Sequence, residues 1–136
     1  MIRKILSLVA LLIFATACQT LGEHKRADTL ESTLKRYEAA VRWTSGSQLY
    51  SFLPPDESRK NPVINPDSKN VRVTHYEIVQ GPSILGEDED RAVQTAIIQY
   101  VLQDTQVVRE LTDAQDWHYD EAAESWYLHS PIPVFK

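Results

Sequence analysis

Apolar residues recur at helical spacing in the first part of the chain. Leu30, Leu34, Tyr37 and Val41 fall at i, i+4, i+7 and i+11, which predicts a helix over residues 29–43 with one apolar stripe. Lys35, Arg36, Glu38 and Arg42 lie mostly off that stripe and face water. Asp28, followed three residues later by Glu31, has the form of a capping box and marks the expected helix start. Ser45-Gly46 is expected to end the helix, and Leu49, Tyr50, Phe52 and Leu53 supply a further apolar turn or two before Pro54-Pro55. Residues 54–70, "PPDESRKNPVINPDSKN", carry four prolines among polar groups and predict a long surface loop.

Beyond residue 70 the period changes to two. "VRVTHYEIV", Val71 to Val79, is rich in β-branched and aromatic residues and predicts a strand that Gly81-Pro82 breaks. Glu87-Asp88-Glu89-Asp90 forms an acidic tip in the connection that follows, most simply a solvated one. From Arg91 to Gln103, Val93, Thr95, Ile97, Gln99 and Val101 alternate with Ala92, Gln94, Ala96, Ile98 and Tyr100, which favours a second strand over a helix. Residues 106–120 predict a third, "DEAAES" a tight connection, and Trp126 to Pro131 a fourth. One or two helices before three or four antiparallel strands make an α+β domain, residues 28–136, whose first helix covers one face of a curved sheet.

The N-terminus has a different character. Arg3 and Lys4 precede an apolar run from Ile5 to Phe14, then small residues at Ala15, Thr16 and Ala17, then Cys18. That run is shorter than the roughly 20 residues needed to span a bilayer, so residues 1–17 have the form of a signal peptide. Cys18 is the sole cysteine, which excludes an intramolecular disulfide. Ala15-Thr16-Ala17-Cys18 resembles a bacterial lipobox, although Ala15 stands where that motif most often has Leu. The same residues also fit a plain A-x-A secretory cleavage site. The lipobox resemblance implies acylation of Cys18, palmitate included, and a membrane partner held through that lipid. Gln19, where an Asp would favour inner-membrane retention, implies the periplasmic face of the outer membrane. Residues 18–27 then form a polar tether.

Charge narrows the partners. With Arg3 and Lys4 removed, 12 basic residues of the 14 stand against 19 acidic ones, a formal charge of −7. Such a balance opposes nucleic-acid binding, which needs a basic face.

The order of helix, short helix, loop and strand meander resembles the NTF2-like (cystatin-like) domains. "TLKRYEAAVRW", residues 33–43, and "WHYDEAAESWYLHSPIP", residues 117–133, resemble small proteobacterial lipoproteins of unknown function. The resemblance implies a fold and no activity. A binding or structural module of the envelope, with an envelope protein as partner, is the leading expectation. A small enzyme or ligand carrier using the cone pocket of such a fold is the alternative.

Five aromatics, Tyr76, Tyr100, Trp117, Tyr119 and Trp126, are the candidate binding surface, with core and hairpin packing as their simpler role. His75, His118 and His129 with Asp116 and Asp120 lack a ligand spacing, and period-two alternation sets His118 opposite Trp117 and Tyr119, so no metal is expected. The inward ionisable candidates Tyr76, His75, Tyr100 and Glu110 form no catalytic spacing. No nucleophile elbow, zinc-protease motif or phosphate loop is present. The expectation is therefore a protein without cofactor or catalytic activity.

Overall fold

In a computed structural model of the chain, residues 22, 24–43, 46–60 and 70–136 are described. The expected signal peptide, Cys18, most of the tether and residues 61–69 of the expected loop lie outside the described residues. Among the described residues no helix is long and apolar enough to cross a membrane.

The first helix, α1, covers residues 24–42 and so begins before the expected cap at Asp28. Distant partners hold this extra turn. Lys25 pairs with Glu124 and Arg26 with Glu121, both in the last hairpin turn, and Arg26 also donates to the Asp88 carbonyl. The Trp126 indole donates to the Arg26 carbonyl at 3.1 Å. Asp28 is thus an exposed residue inside the helix, and the next side chain, Thr29, donates back to the Lys25 carbonyl at 2.9 Å. The stripe follows the expected spacing, with Leu30, Leu34, Tyr37 and Val41 buried together with Thr33 and Ala40.

Two short helices follow, α2 (Gly46–Tyr50) and α3 (Pro55–Lys60). α3 occupies the start of the stretch expected as loop. Pro55 stands at the first helical position, where its missing N–H is no loss, and Asp56 and Glu57 sit favourably in the first turn. The Pro54 carbonyl accepts from the Glu57 and Ser58 amides at 2.9 and 3.0 Å.

Four strands, β1 (Val71–Leu85), β2 (Arg91–Leu102), β3 (Val107–Asp120) and β4 (Ser125–Leu128), form one curved, unclosed antiparallel sheet in the order β1-β2-β3-β4. β1 runs through Gly81-Pro82 where the sequence predicts a break. It does so with register shifts against β2 between Ile78 and Gln80 and between Gln80 and Ser83. As an edge strand β1 tolerates the proline, and the shifts bend this half of the strand. β4 ends at Leu128, short of the expected Pro131.

α1 and Phe52, just after α2, pack on the face that carries Ala92, Gln94, Ala96, Ile98 and Tyr100 from β2. The alanines leave room on the central strand for large neighbours. Ala92 is paired with Trp117, whose indole meets Tyr37 and Phe52 edge to face at centroid distances of 5.2 and 6.1 Å. The chain then returns past the sheet after β4. Phe135 is buried against Tyr100 at 5.0 Å, and the Tyr100 hydroxyl donates to the Lys136 carbonyl oxygen at 3.0 Å.

Candidate functional site

The five candidate aromatics are placed in the packing of the sheet and helices. Tyr76, Tyr100, Trp117 and Trp126 retain 5, 4, 0 and 3% exposure, and Tyr119 lies half-buried between Trp126 and the guanidinium of Arg26. They share the covered sheet face by period-two alternation, so they present no platform to solvent. Pairing sets Trp117 beside Leu128 and Tyr119 beside Trp126.

Of the three candidate histidines, His75 stands apart and the other two meet. His75 stands exposed on β1 beside Glu77, and Asp120 accepts from the Ala123 amide in the last turn. His118 and His129 stack at 4.1 Å on the opposite face from Trp117. There Asp116 is held by Arg91 through two bonds of 2.8 and 3.0 Å, which keep its carboxyl below the usual range. No three His, Cys, Asp or Glu among the described residues are grouped to hold a metal ion. Of the inward ionisable candidates, Tyr76 and Tyr100 are buried, whereas His75 and Glu110 face water.

The inner face also holds a polar network that no sequence motif marks. Leu111, Asp113, Gln115, Trp117 and Tyr119 point inward along β3, so two polar side chains interrupt an apolar period. The Gln115 amide nitrogen donates to Asp113 Oδ2 and to the Tyr76 hydroxyl, both at 2.8 Å. Its oxygen accepts from Trp117 Nε1 at 3.1 Å and from Gln94 Nε2 at 3.2 Å. Tyr37 donates to the same Asp113 oxygen at 3.1 Å. Burial pushes the Asp113 carboxyl up to about 6 against the lowering effect of Gln115 and Tyr37. Burial likewise pushes Tyr76 to about 12 and Tyr37 well above the usual phenol range. Such a connected set favours one arrangement of the core, since a half-satisfied network would cost more than an apolar one.

Gln94 links this network to an open groove of about 490 Å³. Ala27, Leu30 and Leu34 of α1 form one wall, and Ile78, Pro82 and Ile84 of the bent half of β1 form the other. Glu31, Lys35 and Glu38 stand along the helix side, and Gln94 is the polar residue of the β2 floor. The register shifts in β1 fall along this wall, where such irregularities bend a strand. Ile78 and Ile84 remain 47 and 43% exposed. The volume lies within the roughly 300–1,000 Å³ of small-molecule sites. Comparison with protein-family models, with curated proteins and with solved structures finds no match to this chain. Geometry and sequence therefore carry the functional reading.

Proposed function

We propose that this chain is a lipid-anchored module of the cell envelope, with an NTF2-like domain that binds an apolar ligand and performs no chemistry on it. The groove between α1 and β1 carries the reading. Six apolar residues line it, and its ionisable members are surface residues of one helix. Asp113, whose pKa of about 6 would suit acid–base work, sits behind Gln115 and does not line the groove. The lipobox-like Ala15-Thr16-Ala17-Cys18 supports the anchor. Two or more acyl chains at Cys18 would hold the protein stably at a membrane, and Gln19 favours the periplasmic face of the outer membrane.

Two outcomes are expected in intact cells. A photoreactive benzoylphenylalanine at Ile84 captures an envelope component, while the same group at the exposed Val108, outside the groove, does not. Equal capture from both positions, or none from either, would count against the groove. Cys18→Ser abolishes acyl labelling and moves the protein from the membrane to the soluble fraction. Unchanged fractionation refutes the anchor.

A further inference from the structure

We infer that the groove selects a neutral single-chain amphiphile, one whose apolar chain lies between α1 and β1 and whose polar group is an uncharged hydroxyl, ester or amide. This rests on the groove being the binding site, and the charges around it supply the new information. Glu31 is paired with Lys35 at 2.6 Å, and Glu38 with Arg42 at 2.8 Å, both within α1. Every charged residue of the lining thus has its counterion on the helix already. An anionic or cationic head group would have to give up water, or break one of these pairs, without gaining a partner.

The floor has the same preference. Gln94 is 3% exposed and lines the groove, so an amide stands at the base of an otherwise apolar channel. Its Nε2 is tied to Gln115, behind which lies the Asp113 carboxylate. A carboxylate ligand at the floor would approach that buried negative charge. An ammonium ligand would be drawn toward that charge but could not pair with it, because Asp113 does not line the groove and its Oδ2 already accepts from Tyr37 and Gln115. A neutral group can meet an amide by hydrogen bonding with no charge to desolvate.

The test uses the full chain in phosphatidylcholine nanodiscs, with isotope-labelled isoleucine methyls and glutamine side-chain amides. Monooctanoylglycerol, octanoate and octylammonium are titrated separately. Monooctanoylglycerol should shift Ile78, Ile84 and the Gln94 amide, with a Kd at least about tenfold below those of the two charged amphiphiles. Ile84→Glu should abolish those shifts. Leu85→Glu, a substitution at a similarly exposed residue outside the groove, should leave them intact. Equal affinity for a charged amphiphile at the same residues overturns the neutral-head assignment and leaves the groove as a site. An absence of shifts with all three overturns both, as does equal loss of binding in the two variants.

Discussion

Replacing Trp117 by alanine should cost about 3–5 kcal/mol of folding free energy, a large share of the roughly 5–15 kcal/mol that holds a typical domain together. The indole is fully buried and edge-on to both Tyr37 and Phe52, so its loss opens a cavity where β3, α1 and the segment after α2 meet. It also removes the Nε1 donor to Gln115, leaving that oxygen to accept from Gln94 alone. Its partner on β2, Ala92, has no side-chain length with which to fill the space. Urea unfolding measures the effect, with Trp43→Ala as the contrast. Trp43 is 79% exposed, and its loss should change stability by no more than about 0.5 kcal/mol. A Trp117→Ala variant with the native urea midpoint would refute the assigned core.

The second large effect concerns Asp113 and pH. Its folded-state pKa of about 6 lies above the ordinary value of 3.8, because burial disfavours the carboxylate. Between about pH 4 and 6 the folded chain therefore holds a proton that the unfolded chain has released. Stability from this group falls as pH rises through that window and is level above it. The difference is about 2–3 kcal/mol at 1.36 kcal/mol per unit. Asp113→Asn removes the titration while keeping an oxygen able to accept from Tyr37 and Gln115. Carboxylates with lowered pKa, Asp116 and Glu31 among them, give the opposite slope in both proteins and cancel in the difference. Urea midpoints from pH 4 to 7 should show the wild type losing stability relative to Asp113→Asn as pH rises. Parallel curves would mean that Asp113 ionises in the folded chain as it does in the unfolded one.

The architecture was legible where side chains alternate or repeat against a covered face. The α1 stripe and the strict alternation of β2 are direct consequences of one buried face, and the α+β meander follows from their order. Three boundaries were not legible from local sequence. α1 starts early because Lys25 and Arg26 find acids about a hundred residues away, which no local cap reveals. α3 forms because the second proline of Pro54-Pro55 occupies a helix N-terminus, so a pair expected only to stop a helix opens one. β1 passes Gly81-Pro82 because it lies at an edge, a property of the assembled sheet.

The same distinction applies to the site. Aromatic residues drew attention as a platform, yet their period assigns them to the covered face, as Trp117 and Trp126 show. The signal that pointed inward was quieter: Asp113 and Gln115 occupy the phase of Leu111 and Trp117, so the strand pattern alone marks two buried polar groups. The groove lies between α1 and the stretch of β1 that carries register shifts, a juxtaposition with no sequence signature.

An anchored domain with a groove beside its tethered helix would place the binding site near the membrane surface. Native mass spectrometry of the mature protein released from membranes tests that account most directly. The wild type should carry a bound neutral apolar species that Ile84→Glu lacks. Identical spectra for the two proteins, with or without an adduct, would contradict it.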